Sequence, residues 1–143
     1  MTIHQISVFL ENRAGQLAEI TSLLAASGVD LRAINIAETA DYGVVRLIAS
    51  DPQRASALLL EHGFILTMTP VAAVSVPDQP GGLAAVLSVL SRADIDVEYM
   101  YSVFGQQKGR AYMIFRVGDI DRLAAVLQEN DIETVPGEEL GVH

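Results

Sequence analysis

The sequence predicts an α+β protein built from two β-α-β-β-α-β units, each an antiparallel sheet with its helices on one face. Three observations carry this expectation. The segment Asn12-Arg13-Ala14-Gly15-Gln16-Leu17 returns 66 positions on, Gly15 to Gly81, as Asp78-Gln79-Pro80-Gly81-Gly82-Leu83. Each copy closes a run of β-formers and opens a run with the apolar spacing of a helix. Around both copies the same order of elements can be read.

In the first copy, Ile3 to Leu10 carries Ile3, Ile6 and Val8 and reads as a strand. From Gly15, apolar residues at Leu17, Ile20, Leu23 and Leu24 mark one helix face, and Gly28 supplies a stop. Leu31 to Ala37 and Val44 to Ala49 read as strands joined by a turn at Ala40-Asp41-Tyr42-Gly43. Asp51 then caps a helix whose first residue is Pro52, where a missing N–H costs nothing. That helix runs through Ala55, Leu58 and Leu59 to His62-Gly63, and a short strand from Phe64 to Thr67 completes the unit.

The second copy opens with a strand from Val71 to Val76 and a helix face of Leu83, Val86, Leu87 and Leu90. Ile95-Asp96-Val97 keeps the offset of Val29-Asp30-Leu31, and Tyr112 to Val117 is the third strand. Beyond it the offset grows to 68, from Asp51 to Asp119, with Arg54, Leu59 and Glu61 matching Arg122, Leu127 and Glu129. A two-residue insertion therefore falls near Phe104 to Gly109, in a hairpin loop, where insertions are tolerated. The expected units are residues 1–69 and 70–143, and Pro136 to His143 reads as a short acidic tail, mobile or a late edge. Four strands with two one-sided helices fit the ferredoxin-like arrangement, which leaves one sheet face uncovered and favours self-association.

Composition narrows the function classes. Half the residues of this 143-residue chain are hydrophobic, and the mean hydropathy is +0.34, enough for a core. No apolar stretch reaches the roughly 18 residues that span a bilayer, and no secretory leader is apparent, so a cytoplasmic location is expected. Cysteine is absent, which removes disulfides, thiol catalysis and thiolate metal sites. A net charge of −9 with only nine Lys and Arg argues against a nucleic-acid partner. His4, His62 and His143 fall in separate elements and do not form a metal set.

The glycine corner is the feature that carries chemistry. A Gly between strand and helix exposes backbone N–H groups at the positive end of the helix dipole, which suits a carboxylate. Read structurally, Asn12 or Asp78 caps the helix, Pro80 stiffens the entry and Gly81 makes a tight turn. Read functionally, Gly81-Gly82 lets a ligand approach the backbone. Asp30 and Asp96 are either strand-start caps or ligand contacts. Tyr99, Tyr101, Phe104 and Tyr112 concentrate aromatics in the second hairpin, and Tyr99 and Tyr101 share one side of a strand. If Val97 and Met100 both face the helices, a bulge lies between them and the tyrosines point away from the core, to pack between sheets or at a dimer seam or to stack on a ligand.

Asp78-Gln79-Pro80-Gly81-Gly82-Leu83 followed by Ile95-Asp96-Val97 resembles the signature of the ACT domain family: a D-x-P-G-x-L corner, a helix and a hydrophobic–Asp–hydrophobic strand start. The resemblance spans nearly the whole chain as a tandem pair. It implies regulatory modules that bind amino acids or related small ligands, commonly at an interface between two units. It implies ligand contacts at Asn12, Ala14, Gly15, Gln16 and Leu17, at Asp78, Pro80, Gly81, Gly82 and Leu83, and at Asp30 and Asp96. The first copy departs from the pattern, with Asn12 for the acid and Ala14 for the proline. On this reading, free amides of Gly15-Gln16-Leu17 and Gly81-Gly82-Leu83 take an α-carboxylate. Asn12 or Asp78, with Asp30 or Asp96, takes the α-ammonium.

The leading expectation is thus a sensor of a free amino acid that signals by a conformational or assembly change, needs no cofactor or metal, and forms a homodimer that acts on a regulated enzyme. A dimerisation scaffold without ligand is the alternative. A small hydrolase on the ferredoxin-like fold is the weaker third, because Arg13 has Gln79 as its counterpart and no nucleophile or phosphate-loop motif is present.

Overall fold

The structure is a computed structural model that describes residues 2–11, 14–38, 42–105 and 108–143. It divides into two compact units, His4–Thr69 with Gly141–His143, and Pro70–Leu140 with Met1–Ile3. The fold class is the expected one: α+β with antiparallel strand pairs and the element order β-α-β-β-α-β in the first unit.

In the first unit β1 (Ile3–Glu11) leads to α1 (Gln16–Ala26), then β2 (Leu31–Glu38), β3 (Tyr42–Ala49) and α2 (Pro52–Glu61). β3 lies between β1 and β2, antiparallel to both, with Ile6 opposite Leu47 and Leu47 opposite Ile34. That row, with Val8 and Val45, faces Ile20 and Leu24 of α1 and Ala55 and Leu59 of α2 in one buried cluster. The Asp51 carboxylate accepts the Arg54 N–H at 3.1 Å and caps α2 as the sequence indicates. Tyr42 and Gly43, read from sequence as part of a turn, instead continue β3; Ala40 and Asp41 lie outside the described residues.

The next strand corrects the sequence reading. Two strands were expected, Phe64–Thr67 and Val71–Val76; the chain makes one, β4 (Ile65–Pro77), which runs through Pro70 without a break. β-branched and apolar residues dominate the whole stretch, and Pro70 can be held within it because proline's fixed φ suits extended backbone.

In the second unit α3 (Gly82–Arg92), β5 (Val97–Ser102), β6 (Arg110–Val117) and α4 (Ile120–Glu129) follow. β6 lies between β4 and β5, with Ala72 opposite Phe115 and Met100 beside it on the far strand. Phe115, Val74, Val86, Leu90, Leu123 and Leu127 form its core. The register shift between Val97 and Tyr99 is the expected bulge. The closing strand of the repeat shrinks to a single bridge, Val74 to Thr134, supported by the Val135 N–H donating to Ala73 (2.8 Å) and the Ser75 N–H donating to Glu133 (3.0 Å).

The tail is also unlike the expectation of a mobile or edge segment. Gly137–Leu140 forms a short helix, α5, and Leu140 is buried. The His143 N–H then donates to the Ser50 carbonyl at 2.7 Å. An apolar Leu among the acids and a chain end that completes a backbone bond tie the segment down.

Candidate functional site

Both corners turn on a left-handed glycine, Gly15 with φ 90° and Gly81 with φ 86°. A side chain at such a φ crowds the following carbonyl, so both positions favour glycine. Each glycine is the N-cap residue of the helix behind it, and among the described residues neither helix has a side-chain cap. Asp78 therefore does not cap α3, contrary to the structural reading of the motif; Asn12, with Arg13, lies outside the described residues. The Gly15 and Gly81 carbonyls accept the Glu19 and Ala85 N–H at 2.9 and 3.0 Å, which starts the helices. The amides of Leu83 and Ala84 have no backbone acceptor among the described residues and are the open donors at the start of α3. Ala14, Asp78 and Pro80 are exposed around the bends, whereas the side chains of Leu17 and Leu83 pack against the two cores.

Two details revise the sequence reading of Gly82. Its N–H donates to the Gln79 carbonyl at 3.0 Å, so it is not a free donor for a ligand. A Cβ at this position would stand 2.0 Å from the Pro77 carbonyl oxygen, so the residue is glycine because backbone approaches backbone there. In the first unit the same place is held by Gln16, which is 7% exposed, and its Oε1 is buried without a hydrogen-bond donor among the described residues. Such an atom is costly to leave unmatched, on the order of 1–3 kcal/mol.

The strand starts stand away from the corners of their own units. Pro77, at the corner end of β4, is opposite Arg110, while Val97, at the start of β5, is opposite Val117. Seven steps of β6 at about 3.3 Å separate these ends, roughly 23 Å. The first unit repeats the spacing, with Glu11 opposite Tyr42 and Leu31 opposite Ala49. No one small zwitterion can touch Asp78 and Asp96 of one unit, or Asp30 and the Gly15 corner of the other. Asp30 has local work as well: its carboxylate accepts the Arg32 Nη1 at 2.9 Å and its N–H donates to the Ser50 hydroxyl at 2.9 Å. Asp96 lines a cleft of about 340 Å³ with Asp94, Glu98, Asp119 and Arg122.

Asp78 lines a different cleft of about 630 Å³ between the second corner and the β5–β6 hairpin, with Ser102, Lys108, Arg110 and Tyr112 among its walls. The Asp78 N–H donates to the Gly109 carbonyl at 3.0 Å and holds the corner against the hairpin. Arg110 donates through Nε to the Ser75 hydroxyl (2.8 Å) and through Nη2 to the Ser75 carbonyl (3.0 Å). The Tyr112 hydroxyl donates to a Glu139 oxygen at 3.2 Å. Desolvation raises the Tyr112 pKa above the usual 10.0, and the bond to Glu139 and the charges of Glu139 and Glu133 push the same way against Arg110. Tyr99 and Tyr101 stack with centroids 6.4 Å apart, on the side of β5 away from the helices.

Sequence reasoning named Asp78 and Tyr112 but not Lys108, Arg110 or Ser102. The available signals were the hairpin insertion and Lys108, the only lysine of the chain. No group of three His, Cys, Asp or Glu that could hold a metal occurs among the described residues. His62 sits at the end of α2 with Nδ1 2.9 Å from the Leu58 carbonyl.

Comparison with known proteins agrees with this fold. A family model described as "ACT domain pair" matches residues 1–142. Protein BT0572 from Bacteroides thetaiotaomicron is 38% identical with a TM-score of 0.92, covering 99% of this chain and 96% of its own. The regulatory subunit of aspartate kinase from Thermus thermophilus, in a ligand-free form, shares the fold at 16% identity and a TM-score of 0.64, covering 88% and 91%. The corresponding subunit from Thermus flavus does so at 18% identity and a TM-score of 0.60, covering 87% and 88%. No curated protein matches the chain. No helix among the described residues is long and apolar enough to cross a membrane. With twin glycine corners, the βαββαβ order and a family match over nearly every residue, the chain belongs to the ACT domain pair family, a regulatory module.

Proposed function

We propose that this protein senses a free amino acid at the glycine corners of two ACT units, residues 1–69 and 70–143, and transmits occupancy to a partner as a change of shape or assembly. The observation that carries the reading is the repetition of one left-handed glycine corner, φ 90° at Gly15 and 86° at Gly81. The Leu83 and Ala84 amides are suited to an α-carboxylate, and Asp78 to the α-ammonium. In the first unit the buried Oε1 of Gln16 offers an acceptor for an N–H of the ligand. Asp30 and Asp96 would serve such a ligand only from a unit other than the one whose corner holds it, given the roughly 23 Å within a unit. Ligand bound more tightly by one arrangement than by another shifts the population between them. The module would act as a homodimer in the cytoplasm, on an enzyme it regulates, without cofactor or catalytic residue of its own.

Thermal denaturation of the full chain against each of the twenty amino acids tests this. A ligand at about 100 times its Kd adds about 2.7 kcal/mol, hence a midpoint several degrees higher. Twenty unmoved midpoints would leave the reading without support. A scaffold that binds no ligand is favoured by one observation, the exposure of Phe9, Ile36 and Tyr42 in the first unit. It predicts flat thermal responses together with dimers in sedimentation.

A further inference from the structure

We infer that the cleft beside the second corner selects a ligand with one net negative charge, an acidic amino acid, and that the first unit lacks counterparts of the residues that set this preference. The inference rests on the amino-acid-sensing reading above and adds the ligand class and the unit that sets it.

Charge is the first ground. The cleft collects the carboxylate of Asp78 and the cations of Lys108 and Arg110, a formal balance of one positive charge in a chain whose net charge is −9. Neither cation has an ion-pair partner among the described residues, although acids outnumber bases two to one in the sequence. An α-amino acid with a second carboxylate complements that set: with its ammonium at Asp78 and its α-carboxylate at the Leu83 and Ala84 amides, its side-chain carboxylate faces Lys108 and Arg110.

Pre-organisation is the second. Ser75, itself 2% exposed, accepts two N–H groups of Arg110 and fixes the plane of the guanidinium. The remaining N–H groups of that fork have no acceptor among the described residues, and a fork held on one edge is ready for a carboxylate on the other. The hairpin that carries both cations is in turn pinned to the corner through Asp78 N–H and the Gly109 carbonyl.

The duplication supplies an internal control. Pro77 opposite Arg110 corresponds in register to Glu11 opposite Tyr42. Tyr42 thus stands where Arg110 stands, and Phe9, 41% exposed, stands where Ser75 anchors it. Lys108 belongs to the hairpin that carries the insertion. The second copy acquired two cations and their anchor at one end of the sheet, while the first has none of the three.

Titration calorimetry on the full chain with L-glutamate, L-aspartate, L-glutamine, L-asparagine, succinate and the remaining amino acids is the test. One acidic amino acid is expected to bind at least tenfold more tightly than its amide. Lys108→Gln, an exposed change that leaves the core untouched, should lower that preference severalfold, and Arg110→Gln should abolish it. If an acid and its amide bind equally, or if Lys108→Gln leaves the preference unchanged, the inference is overturned while the sensor reading stands. If succinate binds as tightly as any amino acid and responds to Lys108→Gln, the anion cleft stands and the amino-acid reading fails. Heat release from no compound at all would overturn both.

Discussion

The two units share a backbone plan and differ in what they put on it. On the helix-covered face they are near equivalents: Ile6, Leu47 and Ile34 in one, Ala72, Phe115 and Met100 in the other. On the helix-free face they diverge. The first unit aligns Ser7, Arg46 and Asn35, with Arg46 donating to Asn35 at 2.9 Å, and leaves Phe9 partly exposed. The second sets Tyr99, Tyr101, Tyr112 and Arg110 there around a buried Ser75. Burial against helices constrains one face in both copies, so it has changed in size but not in character. The helix-free face is not packed against these helices, and there the copies have taken different chemistry.

The corners invite the strongest test of this contrast. Gly82→Ala places a methyl group against the Pro77 carbonyl and is expected to cost about 3 kcal/mol, read as a lower denaturant midpoint with an unchanged m-value. Gln16→Ala, the same end state in the other copy, should cost far less. A small effect at Gly82 would mean that the second corner relaxes as freely as the first. Gln16→Met keeps the length of the side chain and removes the unmatched oxygen. It should stabilise the free chain by about 1 kcal/mol and weaken amino-acid binding, so that stability and affinity move in opposite senses.

Where the copies agree, equal penalties are expected. Asp51 and Asp119 accept the Arg54 and Arg122 N–H at 3.1 and 3.0 Å, and each Asp→Ala change should cost about 1 kcal/mol in thermal or denaturant unfolding. Unequal costs would show that one helix end is held by other contacts, such as the Arg122 guanidinium on the Ala93 carbonyl. The smallest effect concerns Tyr112, whose counterpart in the first unit is Val44. Because its pKa is raised in the folded chain, the neutral phenol is the favoured form, and its contribution is full below pH 10 and lost as pH rises above it. Tyr112→Phe should therefore flatten the alkaline loss of stability slightly, measured by melting on either side of pH 10.

Much of the architecture could be read before any coordinates because the repeat supplies each element twice. Asp51 before Pro52 and the glycine corners mark helix starts by local chemistry that needs no tertiary context. Three features escaped for physical reasons. β4 reads as two strands because Pro70 looks like punctuation, although extended backbone accepts proline. Gly82 looks like a ligand contact because a glycine required by the approach of Pro77 has the same letter as one kept open for a guest. The cleft of Lys108 and Arg110 was missed because it depends on strand register, which places Arg110 beside the corner that begins at Pro77. The lone lysine marked the place only once the hairpin was folded.

The ends of the chain carry a practical lesson for anyone wishing to study one copy by itself. Gly141–His143 fold with His4–Thr69, and Met1–Ile3 with Pro70–Leu140. Scissors applied at residue 69 would strip from each half a strip of polypeptide that belongs to it. A repeat counted in the letters is thus not a detachable part, and a faithful single-copy fragment would have to be re-stitched by permutation rather than cut.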